Sequence, residues 1–203
     1  MRWSKDVDFI CPIGPGYRRL RQIVSENNFK PSALFAQTEA LHFPRDLIAN
    51  QYGVRFAVIS RGTPIKFEIV AEARIALEPP ENRDWLNVPC LSPVDRYAEK
   101  LLANADRWPD SSIESRDLID LAILRLHGEQ SQLAIDKAEE AYPVITPLKK
   151  SLEKFQGSKD YRHKCFSALE IKNRGHIVNG IDLLASDLGL EKTDRAHDER
   201  SES

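Results

Sequence analysis

Met1-Arg-Trp-Ser-Lys-Asp6-Val7-Asp8-Phe9-Ile-Cys-Pro12 opens the chain, and the alternation Asp6-Val7-Asp8-Phe9 within it sets the terms for the rest. On a β-strand successive side chains point to opposite faces, so Val7 and Phe9 turn to a core while Asp6 and Asp8 stand together on the other side. Two carboxylates held side by side repel each other unless a cation lies between them. Hard divalent cations such as Mg²⁺ take one or two carboxylates together with substrate phosphates. One reading is therefore a metal site for phosphoryl or nucleotidyl transfer. The other is an edge strand with a solvated acidic face, the commoner meaning of an isolated Asp-x-Asp.

Working outward, Gly14-Pro15-Gly16 ends the strand, and Tyr17, Leu20, Ile23 and Val24 then recur at helical spacing. A short extended piece is expected near Leu34-Phe35. Two β-runs follow, 53–60 and 64–71, joined through Arg61-Gly62-Thr63 in the pattern of a hairpin with a glycine turn. In the second run Ile65, Phe67 and Ile69 share one face, and Lys66 and Glu68 share the other. If that strand neighbours the first, Glu68 completes a triad with Asp6 and Asp8, and Lys66 can meet a phosphate or neutralise the carboxylates. A cross-strand charge pair explains Glu68 and Lys66 as well. Pro79 to Asp84 reads as a loop and Leu86 to Leu91 as one more strand.

After Pro93 the sequence turns helical: 93–108, 115–126, 130–142, 147–155, 161–171 and 177–188, with breaks at Gly128, Pro143, Gly157 and Gly175. The expected fold is α+β, a small mixed β-sheet lobe over 1–92 followed by an α-helical bundle over 93–190. The tail 191–203 has almost no apolar residue and is expected to be disordered.

In the first of these helices Lys100 sits on the flank of an apolar stripe, placed to reach a triphosphate as a point charge or to snorkel at the surface. The helix beginning near Ser115 is apolar on nearly every side, so its charges need partners. Arg116 and Asp120 are spaced to pair with each other. That leaves Asp117 near the helix N-terminus to find a metal, a lysine or a substrate hydroxyl.

Composition excludes several classes. Hydrophobic residues make up 41% and charged residues 30% of the 203, and 29 Lys and Arg against 31 Asp and Glu leave a net charge of only -2. No global basic field announces a nucleic acid. Basic residues do cluster locally: Arg18, Arg19 and Arg21; Lys149, Lys150 and Lys154; Lys159, Arg162, His163 and Lys164. Three widely spaced cysteines, Cys11, Cys90 and Cys165, and five histidines show no zinc-ligand spacing and suit a reducing cytoplasm. No apolar run is long enough to span a membrane, and no export leader is legible.

Four stretches taken together carry a family resemblance: Arg2-x-Ser4-x-Asp6-Val7-Asp8-Phe9, Ile65-Lys66-Phe67-Glu68, Asp95-x-x-Ala98-Glu99-Lys100 and Arg116-Asp117-x-x-Asp120-Leu121. In order and spacing they resemble the motifs of the AbiEii/AbiGii-type nucleotidyltransferases, a toxin and phage-defence group within the DNA polymerase β-like superfamily. The resemblance implies Asp6 and Asp8 as ligands of Mg²⁺ or Mn²⁺, with Glu68 as a third acidic residue that orients the attacking hydroxyl. It implies Ser4 beside the nucleotide phosphates, Lys100 on them, and Asp117 as an essential acid organised by Arg116 and Asp120. The implied reaction moves a nucleoside monophosphate from an NTP to a hydroxyl of RNA, such as tRNA, or of protein, in a cleft between the lobes where Lys100 and Asp117 face the strand carboxylates. A cognate antitoxin is implied as partner.

The family also has a Gly-Gly or Gly-Ser turn ahead of the first motif, whereas this sequence begins within that motif and its Gly14-Pro15-Gly16 lies downstream. The expectation is of a chain incomplete at its N-terminus. A catalytically inactive nucleotidyltransferase fold, serving as a binding partner or nucleotide-binding module, is the alternative function.

Overall fold

A computed structural model of the protein describes residues 6–84, 86–129 and 131–199. The chain divides into two compact units after Ala76.

The first unit is built on a mixed sheet. Strand β1 (Asp6–Pro12) leads through Gly14 into helix α1 (Pro15–Glu26), whose proline occupies the first turn, where a missing N–H costs nothing. A single 3₁₀ turn (Pro31–Leu34) stands where a short extended piece was expected, and only Phe35 after it is extended. Short strands β2 (Leu41–His42) and β3 (Ile48–Asn50), not legible in the sequence, precede the long pair β4 (Gly53–Ser60) and β5 (Thr63–Glu72). The β4–β5 turn has Arg61 at φ 50° and Gly62 at φ 76°. Two left-handed residues in succession match the twist of a tight hairpin, and glycine takes the second without steric cost.

The strand order is β1-β5-β4-β2, with β3 also on β4; β1 runs parallel to β5, and the other pairings are antiparallel. A parallel neighbour requires a crossover. Helix α1 supplies part of it and packs its Tyr17 and Val24 against Val54, Phe56 and Val58. Phe56 and Phe67 stack at 5.1 Å between ring centroids, and Phe35 meets both edge-on. Since side chains alternate, this apolar face leaves Asp6, Asp8, Lys66, Glu68 and Arg55 on the opposite one.

The second unit starts with a two-strand ribbon, β6 (Glu81–Arg83) and β7 (Leu86–Cys90), and continues as helices α2 (Pro93–Arg107), α3 (Arg116–Leu126), α4 (Gln132–Ala141), α5 (Ile145–Gln156), α6 (Lys159–Ala168) and α7 (Arg174–Asp187). The sequence reading puts the change of character at 93; the second compact unit also takes in 77–92, where, among the described residues, β6 and β7 pair with each other and not with the mixed sheet. Side-chain caps start four of the helices: Ser92, Ser131, Ser158 and Asn173 accept the backbone N–H three residues on. Gly175 does not break the chain; it is buried in the first turn of α7.

The core of this unit is the α2, α3, α5 and α7 packing, with Leu101, Leu118, Leu121, Leu152, Ile181 and Leu184 fully enclosed. At its centre Gly180 of α7 rides on Ala122 of α3, where a Cβ would lie 2.4 Å from the Ala122 carbonyl oxygen. The expected disordered tail is described as far as 199. Its Glu199 is buried and ion-paired with fully buried Arg162, whose guanidinium also donates to the carbonyls of Gln156 and Asp194. Composition alone gives such a segment no apolar anchor, so polar contacts hold it.

Candidate active site

The residues singled out by sequence fall into two groups, one in each unit. In the first, the parallel register sets Asp6 opposite Lys66 and Asp8 opposite Glu68. Partners in register face the same side of a sheet, so the strand alternation read from sequence brings these four side chains onto one surface. Asp8 and Lys66 are exposed, and Asp6 and Glu68 are half-buried. On the other side of Glu68, β4 contributes Arg55 in direct register. Its guanidinium reaches the Glu68 carboxylate at 2.5 Å. The charge partner of Glu68 is thus Arg55 and not Lys66.

This pairing alters the expected three-carboxylate set. Among the described residues no group of three His, Cys, Asp or Glu side chains is placed to hold a metal ion. Asp8 and Glu68 are neighbours in register, but Arg55 draws the Glu68 carboxylate toward β4. The remaining donors, Asp6 and Asp8, are of the hard-oxygen type and number that Mg²⁺ takes when phosphates complete its shell. They fit such an ion as a two-carboxylate site. Ser4 lies outside the described residues.

In the second unit α2 and α3 pack together, and Lys100, Arg107, Asp117 and Asp120 meet across them. Asp117 lies in the first turn of α3, where the helix dipole favours an anion, and its side chain is only 3% exposed. Burying a lone carboxylate would be prohibitive, and two cations meet that demand. The Arg107 Nη2 donates to Asp117 Oδ1 at 2.7 Å, and the Lys100 Nζ lies 3.5 Å from the same oxygen. Lys100 makes its shorter bond, 2.8 Å, to Asp120 Oδ2. The second Asp117 oxygen, Oδ2, is buried and accepts no hydrogen bond among the described residues.

Two expectations change here. Arg116 and Asp120 do not pair along α3; Lys100 comes across from α2 to take Asp120. The organiser of Asp117 is Arg107, which the sequence reading passed over. A signal was present, since Lys100, Asn104 and Arg107 recur at the three-to-four spacing of one helical face and point where Asp117 needs a cation. Asp95, from the same motif as Lys100, is fully buried and structural. Lys137 of α4 pairs with it, and the Glu78 N–H donates to it at 2.6 Å, tying α2 to α4 and to the segment before β6.

Two of the three basic clusters prove partly internal. Arg162 is buried in its pair with Glu199, and Lys159 pairs with Asp194 at 2.7 Å. Lys154 lies 4.9 Å from the Tyr161 ring and donates to the Trp108 and Pro109 carbonyls. Among the described residues no helix is long and apolar enough to cross a membrane.

Neither the curated proteins nor the solved structures searched give a match to this chain. A family profile does: the one described as nucleotidyl transferase AbiEii toxin, Type IV TA system, matches residues 1–163. That span covers most of the 203 residues and contains both groups of side chains, and the chain therefore belongs to the AbiEii nucleotidyl transferase toxin family.

Proposed function

We propose that this protein transfers a nucleoside monophosphate from an NTP to a hydroxyl group of a macromolecule, using a divalent cation held by Asp6 and Asp8. The observation that carries the reading is the β1–β5 register, which gathers Asp6, Asp8, Lys66 and Glu68 on one sheet face in a chain of this family. When bound, Mg²⁺ or Mn²⁺ supplies charge stabilisation to the phosphoryl group under attack and to the leaving pyrophosphate.

The protein's own groups have separate tasks. Lys66 presents a positive charge on the carboxylate face and makes no ion pair among the described residues. Glu68, held from behind by Arg55, is placed beside Asp8 to orient the acceptor hydroxyl. Lys100 bridges Asp117 and Asp120 within its own unit, a cation that the family resemblance assigns to phosphate contact. Arg107 is the counter-ion that keeps buried Asp117 compensated. In this family's setting the activity is toxin-like and is opposed by a cognate antitoxin.

Isothermal titration with each NTP, with and without Mg²⁺, tests the reading beside the Asp8→Asn variant. Binding that requires both the metal and Asp8, followed by transfer of label from an α-phosphate-labelled NTP, is expected. A folded protein that binds NTP with no dependence on Asp8 or metal would instead support the binding-module reading.

A further inference from the structure

The segment 191–199 lies on the helical unit as a peptide ligand lies on its receptor. Each fixed charge of 194–199 meets an opposite one on α6 or α7: Asp194 pairs with Lys159, Arg195 with Asp182, Asp198 with Arg174 and Glu199 with Arg162. Asp182 also accepts the Thr193 N–H at 2.8 Å, and the Gln156 side-chain amide donates to the Glu191 carbonyl at 3.0 Å. The segment contains no large apolar side chain, so charge complementarity and hydrogen bonds hold it in place.

The seat is organised by groups that do not belong to the tail. Fully buried Arg162 donates from Nη1 to the Phe155 and Gln156 carbonyls at the end of α5, at 3.3 and 2.7 Å. That contact aims Nε and Nη2 at the two Glu199 oxygens, at 2.7 and 2.9 Å. The Arg174 guanidinium lies 5.8 Å from the centre of the Phe166 ring, which packs edge-on against Phe155. An oriented guanidinium gripping both oxygens is the strong form of carboxylate recognition. The tail is separable as well. Helix α7 closes before it begins, with the Leu190 N–H donating to the Ala185 carbonyl at 2.8 Å, the Gly189 N–H to Ser186 at 3.1 Å, and Gly189 at φ 70°. This is the Schellman arrangement, which satisfies the last helical carbonyls without help from any later residue.

We infer that the surface around Lys159, Arg162, Arg174 and Asp182 is a receptor for an acidic protein segment of the pattern Asp-Arg-x-x-Asp-Glu. At rest it is filled by the chain's own 194–199, and it opens to a competing segment when that tail swings away about Gly189. The Arg162 and Arg174 pair would serve a free phosphate or a nucleic acid too, but Asp182 would repel either; it takes Arg195, so the seat reads a pattern of both signs. Release leaves the α7 cap intact and returns the tail's charges to water. The inference goes beyond the transferase reading and does not rest on it.

Fluorescence anisotropy with a labelled, amidated peptide of sequence 191–199 tests it on the full chain, wild type beside an Asp198→Asn, Glu199→Gln double variant. A tethered tail competes at an effective concentration on the order of 1 mM, so the wild type should bind the peptide weakly. Loss of two charge-assisted pairs loosens the tethered tail, and the double variant should bind the peptide at least about 10-fold more tightly. Adding Arg174→Met to the double variant, or putting the same two substitutions into the peptide, should weaken binding about 10-fold or more. In hydrogen exchange of the wild type, saturating peptide should strip protection from the tail amides of Thr193 and Ala196 and leave α7 protected. Equal binding by wild type and double variant, no binding by a folded double variant, or equal binding of the neutralised peptide would overturn the inference. So would tail amides that stay protected with the peptide bound to the wild type.

Discussion

Replacing Gly180 by Ala probes the close approach of α7 to α3. A Cβ there would lie 2.4 Å from the Ala122 carbonyl oxygen, 2.8 Å from its carbon and 2.9 Å from the Ala122 Cβ. All three belong to a backbone or to a methyl bound directly to it, so no side chain can swing aside. Restoring ordinary contact at roughly 3.4 Å requires α7 to withdraw from α3 by about 1 Å, and a gap of that size forfeits about a quarter to a half of each dispersion contact along the seam. That seam includes Leu118, Leu121, Ile181 and Leu184, all buried. Overpacking of this kind costs about 1–3 kcal/mol, and a backbone clash belongs at the upper end. The gain in helix propensity from Gly to Ala, about 1 kcal/mol, offsets part. The net loss is about 2 kcal/mol, or roughly 4–8 °C in melting temperature for a chain of this size. Since α3 carries Asp117 and Asp120, nucleotide turnover should fall as well. Thermal unfolding followed by circular dichroism is the assay, with Gly16→Ala as control, because nothing lies within 4 Å of a Cβ at that position. A Gly180→Ala protein that melts at or above wild type would refute the reasoning, since α3 and α7 could not then approach so closely.

Other expectations follow from buried charge. Arg162→Met leaves Glu199 enclosed without its cation and should cost about 3–5 kcal/mol in urea unfolding, with early proteolysis within 191–199. Burial of Glu199 raises its pKa, but the Arg162 bonds and the Ala196 N–H outweigh it and hold the carboxyl below its ordinary value. A depressed folded-state pKa gives stability that is present above the unfolded value, about 4.3, and is lost as pH falls through the folded one. Protease resistance of 191–199 should accordingly persist at pH 5 and disappear only under stronger acid. Arg107→Met removes the 2.7 Å bond to Asp117 but leaves Lys100 at 3.5 Å, so a loss of about 1–2 kcal/mol is expected by urea denaturation, with Arg107→Lys partly restoring it. Burial pushes the Cys165 thiol above its ordinary range, and an Ellman-type reagent at pH 8 should reach it only on unfolding; prompt labelling of the native protein would contradict its burial.

Several features were legible because local rules decide them. Asp6-Val7-Asp8-Phe9 alternates, so a strand there must put both acids on one face whatever lies beside it. Arg61-Gly62 between two apolar runs can close as a tight hairpin, and the chain turns helical from Pro93, as α2 does. The α+β class and the order of its parts follow from such signals, and the four motifs in order pointed to the family.

Tertiary structure alone decided who pairs with whom. Nothing in the spacing of Glu68 says that Arg55 will face it; antiparallel register between β4 and β5 does so. Along α3, Arg116 and Asp120 satisfy the local rule for an ion pair, yet Lys100 and Arg107 arrive from α2 and take both aspartates, because a buried carboxylate gains more from a cation delivered across a packed interface than from a neighbour free to turn to water. The tail 191–199 reads as solvated from composition, and one buried arginine reverses that by offering its carboxylate a bidentate partner. Sequence periodicity thus fixes which face a side chain takes. Its partner is fixed by distances between elements far apart in the chain, which periodicity does not encode.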